Sequence, residues 1–226
     1  MNALQRISNW LGYRLIDYGS WLHALDLPKD IELRRTRYDN LTPDSFVVDV
    51  GGYTGDWASL MFCRYACSID IYEPHPTLYR YAILEKFRHN KKVRAYNCGL
   101  SNETRKMTLY GDGYVASLYP TQNTVSHQTA NIHKASDVFE ERYSDKVIDV
   151  LKLNIEGAEY EVLPDLIQNF DMSHIRNIQI QFHQVVDDYN RKRSAIQHDL
   201  AALGFVQTWN YEWAFENWEN SKFGGI

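Results

Sequence analysis

The stretch of sequence that decides the fold reads Phe46-Val47-Val48-Asp49-Val50-Gly51-Gly52-Tyr53-Thr54-Gly55-Asp56-Trp57. Its valine-rich first half is typical of a strand that is buried on both faces in a parallel sheet. Three glycines then end the apolar run, and from Trp57 to Tyr65 the apolar residues recur at the spacing of one helix face. Strand, glycine turn and helix together predict the opening of a nucleotide-binding βαβ unit.

The acids around this turn distinguish among nucleotide ligands. The dinucleotide fingerprint places glycine at its first, third and sixth positions, where this chain has Gly51, Tyr53 and Asp56. Carboxylates at Asp49 and Asp56 disfavour a pyrophosphate but suit the cationic ammonium and sulfonium groups of S-adenosylmethionine. Glu73 ends the next predicted strand, 22 residues after Gly51, where a carboxylate can accept both ribose hydroxyls. We therefore expect an S-adenosylmethionine site, against the alternative of a plain strand–turn–helix with incidental acids.

Length, composition and charge bound the class of protein. The 226 residues, of which 44% are hydrophobic, suit one globular domain with a small appendage. A net charge of -5 argues against a nucleic-acid substrate, which usually requires a basic face. Three cysteines without a disulfide framework or zinc spacing predict a reducing, cytoplasmic location and no metal site. No signal peptide and no apolar run near ~20 residues is found, so we expect no transmembrane segment.

The chain divides into a predicted helical appendage, residues 1–40, and a main domain, residues 41–226. Between Leu4 and Leu25, leucines and Tyr18 recur at spacings of three, four and seven, which indicates one stripe of a helix. We expect this helix to pack against its own domain. The alternatives are a dimer contact, a lid over the active site and, least favoured, an interfacial membrane helix. A homodimer is therefore among the expected partners.

The main domain alternates predicted strands and helices, which indicates a doubly wound α/β sheet with a terminal hairpin. The third strand is expected over residues 93–100, and a helix that Thr77 caps is expected to reach about Phe87. Residues 106–110 and 114–119 predict a β-hairpin, and residues 121–133 predict a mobile loop. The helix before residue 170 is expected to be interrupted by Pro164. The other predicted elements are strands at 68–72, 147–156, 178–183, 205–209 and 213–218 and a helix at 191–203.

Polar residues at strand ends predict where the chemistry lies. In the strand at 147–156, Lys152, Asn154 and Glu156 alternate with apolar residues, which indicates a ligand crevice; a solvent-facing edge strand is the alternative. His183 ends the next strand on the same side, and we favour a functional role over the structural role more usual for a lone histidine. The third predicted strand ends at Asn97-Cys98-Gly99, where amide and backbone groups can meet an adenine edge.

These stretches together resemble the FkbM-type S-adenosylmethionine-dependent methyltransferases, over about residues 45–220. The residues that carry the resemblance are Val48-Asp49-Val50-Gly51-Gly52-Tyr53-Thr54-Gly55-Asp56, Tyr72-Glu73-Pro74, Gly99-Leu100-Ser101 and Leu151-Lys152-Leu153-Asn154-Ile155-Glu156-Gly157-Ala158-Glu159. The ending, residues 211–218, resembles bacterial and viral members linked to glycan clusters. The family usually carries aspartate where this chain has Asn154, so any role of that aspartate as base or metal ligand is lost here or passes to Glu156 or His183.

The resemblance implies a Rossmann-like class I methyltransferase fold. Its seven-stranded, mostly parallel sheet carries helices on both faces, and the last strand is antiparallel. The implied reaction is O-methylation of a hydroxyl, often on a sugar or polyketide, so the expected acceptor is a glycan or small molecule. The residues that we assign to the cofactor S-adenosylmethionine are Asp49, Gly51, Gly52, Tyr53, Thr54, Gly55, Asp56, Glu73, Pro74, Asn97, Cys98, Gly99 and Ser117.

Methyl transfer to a hydroxyl requires alignment of the oxygen and removal of its proton. We expect His183 to be the general base, because its unperturbed pKa lies near working pH. Glu156 is the second candidate, as base or as the group that orients the acceptor, and Lys152 is expected to stabilise the developing alkoxide. A metal-dependent variant would instead use Glu156, His183 and Asn154.

Two rival functions remain open at this point, a nucleic-acid methyltransferase and a cofactor-binding scaffold without activity. The acidic charge counts against the first, and the intact acids Asp49 and Glu73 count against the second. On the acceptor side, Trp209, Trp213 and Trp218 can stack on sugar rings or simply fill the core at the sheet edge.

Overall fold

The computed structural model describes residues 31–110 and 127–224. The chain divides into two compact units, residues 1–37 and 38–226. The described part of the first unit is helix α1 (Ile31–Thr36), in which Arg35 donates a hydrogen bond to Glu32 at 2.7 Å. The helix predicted over residues 1–27, Ser117 and the predicted strand at 114–119 lie outside the described residues. No helix in the described part of the chain is long and apolar enough to cross a membrane.

Ten strands form two sheets in the described part of the second unit. They are β1 (Phe46–Val50), β2 (Ser68–Tyr72), β3 (Val93–Tyr96), β4 (Gly99–Ser101), β5 (Arg105–Tyr110), β6 (His127–Lys134), β7 (Ile148–Leu153), β8 (Ile175–Ile180), β9 (Phe205–Tyr211) and β10 (Phe215–Asn220). The main sheet has seven strands in the order β3-β2-β1-β7-β8-β10-β9, and a small sheet has the order β4-β6-β5.

Helices cover both faces of the main sheet. They are α2 (Asp56–Tyr65), α3 (Pro76–Leu78 and Leu84–Phe87 around a π-helical turn, Tyr79–Ile83), α4 (Ala135–Tyr143), α5 (Glu159–Asn169) and α6 (Tyr189–Ala202). Alternate strand residues point to opposite faces, so Val47 packs in one core with Met61 of α2. Val48 packs in the other core with Phe139 of α4 and Leu166 of α5. The α/β prediction with helices on both faces is confirmed.

Strand direction matches the expected class I arrangement. β1 is parallel to β2 and to β7, β2 is parallel to β3, and β7 is parallel to β8. β10 alone in this sheet runs antiparallel, to β8 on one side and to β9 on the other. Because the chain runs outward from β1 to β3 and then returns to place β7 beside β1, the sheet has its switch point between β1 and β7. Ligands of such sheets bind outside the carboxyl ends of the strands at this point.

The small sheet corrects two expectations from the sequence. The strand predicted over residues 93–100 ends at Tyr96, and Gly99–Ser101 instead pairs with β6 as β4. β5 also pairs with β6, with Arg105 opposite Ile132, so residues 127–133 form a strand where a mobile loop was predicted. The loop prediction is therefore wrong. The strand was missed because only Ala130 and Ile132 are apolar on the buried side of β6, where they pack with Leu109.

Three local features also differ from expectation. His75, not Thr77, caps α3, since its Nδ1 accepts the backbone N–H of Leu78 at 3.4 Å. α5 continues through Pro164, where an interruption was predicted. The strand with alternating polar residues is central in the sheet, and it ends at Leu153, so Asn154 and Glu156 lie in the loop beyond it.

Candidate active site

The glycine turn, residues 51–55, connects β1 to α2 at the switch point. The backbone N–H groups of Gly51 and Gly52 both donate to the carbonyl of Tyr72, at 2.9 and 3.0 Å. Gly51 has φ +85°, and a Cβ there would lie 2.0 Å from the carbonyl oxygen of Asn154. A Cβ at Gly52 would lie 2.2 Å from Ile71 Cγ2. Only glycine therefore fits at these two positions, and the turn is packed directly against the ends of β2 and β7.

Glu73 is buried beside this turn. Its Oε2 accepts the backbone N–H of Tyr53 at 2.7 Å, and its Oε1 accepts that of His75 at 2.8 Å. Burial raises the pKa of Glu73 to about 7 against the lowering effect of the two backbone donors. Asn97 donates from its amide to the carbonyls of Glu73 and Pro74, at 2.9 and 3.2 Å. Each carboxylate oxygen accepts one amide and keeps capacity for a further donor such as a ribose hydroxyl.

Asp49 and Lys152 form an ion pair beneath the turn. Lys152 Nζ lies 2.8 Å from Asp49 Oδ1 and donates to the carbonyl of Gly51 at 2.7 Å. Both side chains are buried, and the two residues are direct neighbours in the β1–β7 register. The ammonium of Lys152 thus holds the turn and neutralises Asp49. The predicted stabilisation of a developing alkoxide by Lys152 stays a prediction.

Asp56 is exposed at the first position of α2. It accepts the hydroxyl hydrogen of Thr54 at 2.8 Å and pairs with Lys86 of α3. The carboxylate is therefore paired with Lys86, and its predicted orientation toward the cationic end of a cofactor stays a prediction.

Cys98 and Gly99 follow β3. Burial raises the pKa of Cys98 to about 11, so the thiol is neutral at physiological pH. A Cβ at Gly99 would lie 2.8 Å from Ile132 Cδ1 and 3.3 Å from Pro74 Cβ, so the backbone passes close to the loop that carries Glu73. Their predicted contact with adenine stays an expectation.

Glu156, Glu159 and His183 form an acid–histidine cluster at the carboxyl ends of β7 and β8. His183 Nδ1 forms a hydrogen bond with Glu159 Oε1, and Nε2 lies 3.5 Å from Glu156 Oε1. Burial alone would lower the pKa of His183, but its contacts with the two carboxylates, and their negative charges, raise it to about 10. The pKa of Glu156 is lowered by His183 and Lys152 despite its partial burial.

The cluster changes the reason for proposing His183 as the general base, which was its unperturbed pKa. At neutral pH the ring carries a positive charge and has no free lone pair, so the argument from an unperturbed pKa is wrong for this arrangement. Sequence reasoning also missed Glu159, which is fully buried and accepts the backbone N–H of Gly157 at 2.6 Å. The available signal was an acid at the first position of a helix, directly after the turn that carries Glu156.

Asn154 stands between the glycine turn and this cluster. Its backbone N–H donates to the carbonyl of Val50 at 3.2 Å. Its side-chain Oδ1 is buried and has no hydrogen-bond partner among the described residues. An orphaned acceptor of this kind costs about 1–3 kcal/mol, a penalty that a donor from a ligand or water can relieve.

The described residues offer little for a metal ion. Across residues 31–110 and 127–224, no group of three or more His, Cys, Asp and Glu side chains is arranged to hold one. Glu156 and His183, two members of the metal-dependent alternative, contact each other.

The tryptophans near the C-terminus differ in how far their side chains are exposed. Trp218 is buried, and its indole N–H donates to Glu216 at 2.8 Å, so it belongs to the core. Trp213 is partly buried and adopts a left-handed backbone conformation, φ +62°. The guanidinium of Arg193 lies 4.7 Å from its ring centroid. Trp209 and Trp213 keep partly exposed rings.

The chain is similar in sequence to known methyltransferases. The sequence model of the methyltransferase FkbM domain matches residues 49–206. "Methyltransferase 1" of Beauveria bassiana (strain ARSEF 2860) is 28% identical over 146 residues, 54% of this chain and 59% of that protein. The match thus spans less than two thirds of that relative.

Two solved structures illustrate the structural likeness. A Staphylococcus aureus protein, provisionally described as a caffeoyl-CoA O-methyltransferase, is 11% identical with a TM-score of 0.48, over 96% of this chain and 97% of that chain. A ribosomal protein L11 methylase from Lactobacillus delbrueckii subsp. bulgaricus is 15% identical with a TM-score of 0.45, over 83% of this chain and 74% of that chain.

Proposed function

The chain belongs to the methyltransferase FkbM family, and we propose that it methylates a hydroxyl of a sugar, glycan or related small molecule with S-adenosylmethionine as donor. The single observation that carries this proposal is the acid–histidine cluster, which lies at the carboxyl ends of β7 and β8, on the same edge of the sheet as Glu73. A hydroxyl acceptor has to lose a proton, and this cluster supplies two groups that can take it.

The residues around the glycine turn fit the cofactor. Gly51 and Gly52 let the chain turn tightly against the ends of β2 and β7, because neither position tolerates a Cβ. Glu73 keeps acceptor capacity for ribose hydroxyls, and its burial strengthens any hydrogen bond that it accepts. When bound there, S-adenosylmethionine supplies an electrophilic methyl group.

The acid–histidine cluster would take the proton of the acceptor. Glu156 is ionised at neutral pH and half exposed, so it can accept a proton directly. His183 can accept one only after its own proton has left. General-base catalysis of this kind typically contributes 10²–10⁴-fold. Holding the hydroxyl in line with the methyl contributes separately through positioning.

The charge of the chain favours a neutral acceptor over a nucleic acid. The net charge is -5, and the cluster that would face the acceptor holds two carboxylates against one imidazolium. A net negative charge disfavours the approach of a phosphate backbone. The partly exposed rings of Trp209 and Trp213 suit the apolar face of a sugar.

Calorimetric titration with S-adenosylmethionine and S-adenosylhomocysteine tests the cofactor. We expect micromolar binding that Glu73→Ala weakens, whereas Glu85→Ala, which removes an exposed glutamate of α3, leaves it unchanged. Transfer of a labelled methyl group to a panel of hydroxylated sugars and to an RNA control then tests the acceptor class. Absence of binding by folded protein would refute the proposal, and transfer to RNA alone would replace it with the nucleic-acid alternative.

A further inference from the structure

The two carboxylates of the acid–histidine cluster hold His183 in different ways. Glu159 is 0% exposed, and both of its oxygens are bound, one by His183 Nδ1 and the other by the backbone N–H of Gly157 at 2.6 Å. A buried carboxylate fixed at both oxygens cannot move without leaving a buried donor unsatisfied. Glu159 therefore fixes the ring orientation and leaves Nε2 as the nitrogen that faces the loop after β7.

Glu156 holds the other nitrogen loosely. Its side chain is 53% exposed, and its Oε1 lies 3.5 Å from Nε2, beyond the usual 2.7–3.2 Å of an N–H···O hydrogen bond. The residue adopts a left-handed conformation, φ +55°, and the following Gly157 has φ +106°. Non-glycine residues in this region are strained by about 1–3 kcal/mol and cluster at functional sites. From this strained position, the carboxylate of Glu156 faces the ring of His183.

We propose that Glu156 occupies the position of the acceptor hydroxyl at His183 Nε2 and is displaced when the acceptor binds, while Glu159 acts as the positioning residue for the ring. This inference rests on the proposed function and makes its general base specific. An oxygen stands near Nε2 in both states, a carboxylate oxygen before the acceptor enters and a hydroxyl oxygen afterwards.

Displacement also changes the charge state of the ring. The charged groups that face His183 are Glu156 from the loop after β7 and Glu159 from α5, and Lys152 of β7 acts on Glu156. Once Glu156 has left, one of the two carboxylates that raise the pKa of His183 no longer acts on the ring, so this pKa falls and the proposed next step is loss of the Nε2 proton to solvent. Nε2 then has a lone pair that can accept a proton.

The methylation step balances with these groups. The acceptor oxygen forms a bond to the methyl carbon as the bond from that carbon to sulfur breaks, and its electron pair stays on sulfur. The hydroxyl proton moves to Nε2, and the resulting imidazolium is stabilised by Glu159. When the ether product leaves, Glu156 returns to Nε2. No other reactant is required.

Reactivity of His183 toward diethyl pyrocarbonate tests the arrangement without any acceptor. This reagent attacks only a neutral imidazole nitrogen, and mass spectrometry of the peptide that carries His183 reports the rate. We expect Glu156→Gln to raise the rate at pH 7 by about tenfold for each unit by which the pKa of His183 falls. Glu140→Gln, at an exposed position of α4, is the matched control and should leave the rate unchanged. An unchanged rate in Glu156→Gln would overturn the proposal.

Methyl transfer to the best acceptor of the sugar panel provides the second test. We expect Glu156→Gln to lower KM for that acceptor and to shift the pH profile of kcat/KM toward lower pH. Glu159→Gln should lower kcat by about 10²-fold or more with an unchanged affinity for S-adenosylhomocysteine, because the ring loses its orientation. A loss of kcat of about 10²-fold or more in Glu156→Gln would make Glu156 itself the base and overturn the proposal.

The two measurements separate failure of this inference from failure of the proposed function. Wild-type protein that methylates a sugar, together with an inactive Glu156→Gln, refutes only the displacement of Glu156. Wild-type protein that methylates no member of the panel refutes the proposed function, and the displacement falls with it whatever the reactivity of His183.

Discussion

Asp49 and Lys152 lie opposite each other on neighbouring parallel strands, and their buried side chains meet at 2.8 Å directly beneath the glycine turn. Lys152 also donates to the carbonyl of Gly51, the first residue of that turn. The pair therefore links the stability of the sheet to the shape of the glycine turn.

Removing one partner of this pair should destabilise the fold. Asp49→Asn leaves the charge of Lys152 buried without compensation, so we expect the free energy of unfolding to fall by about 3–5 kcal/mol. Urea denaturation measures the change. Combining Asp49→Asn with Lys152→Met should recover much of the loss, because no uncompensated charge is then buried. A double variant no more stable than the single one would show that the two charges are not coupled.

Binding of S-adenosylhomocysteine should strengthen as pH rises through about 7. Glu73 has a pKa of about 7, and its ionised form is the better acceptor for ribose hydroxyls. The ionised fraction rises about tenfold between pH 6 and pH 8, so Kd should fall by about that factor over this range. Calorimetry across the range measures the trend. Glu73→Ala should flatten it, and a flat profile in the wild-type protein would exclude Glu73 as a titrating contact.

The same carboxyl should shape stability in the absence of ligand. A folded pKa above the ordinary value of 4.5 means that the folded state binds the proton more tightly. The stabilisation from Glu73 is thus fully present below pH 4.5 and is lost as pH rises through about 7. Without ligand, Glu73→Gln should therefore lose less stability than the wild-type protein between pH 5 and pH 8, which urea denaturation measures; parallel curves would contradict the raised pKa.

Gly51→Ala should abolish cofactor binding. The new Cβ would stand 2.0 Å from the carbonyl oxygen of Asn154, and the residue would keep φ +85°, so the turn has to move. Strain of this kind costs about 1–3 kcal/mol, to which the clash adds. Gly224→Ala is the matched control, since its Cβ would lie 3.6 Å from the nearest atom. Equal binding by both variants would place the cofactor away from the turn.

His183 should contribute stability that is lost at higher pH than the contribution of Glu73. Its pKa of about 10 lies above the ordinary 6.5, so the contribution is fully present below pH 6.5 and disappears as pH rises through 10. Urea denaturation between pH 7 and pH 10 should therefore show a decline in wild-type stability. His183→Gln should decline less over the same range, and parallel curves would contradict the charged state of the ring.

Secondary-structure elements formed by contiguous residues were predicted from the sequence. Pairings and contacts between residues far apart in the chain were missed. β1, the glycine turn and α2 are contiguous, and their pattern alone indicates a strand, a tight turn and a helix. β6 escaped notice because its pairing with β5 crosses residues 111–126 and leaves only two apolar side chains facing inward.

The candidate site divides in the same way. Glu73 and the glycines were predicted from spacing, but the contact of His183 with Glu159 joins residues 24 positions apart. The raised pKa of His183 depends on that contact, so it could not be predicted from the residue type or from its position in the sequence. The same holds for Lys152, whose partner Asp49 lies 103 positions away.

The π-helical turn of α3 limits which helical segments can replace this part of the molecule. The backbone N–H of Leu84 bonds to the carbonyl of Tyr79, five residues back, which gives the helix one residue more than a regular turn holds. That extra residue sets the register in which Ile83 reaches the glycine turn, 3.2 Å from where a Cβ of Gly52 would stand. A regular helix grafted from another protein would bring a different side chain to this contact. Chimaeras at residues 76–87 should therefore conserve the length of the segment to the residue.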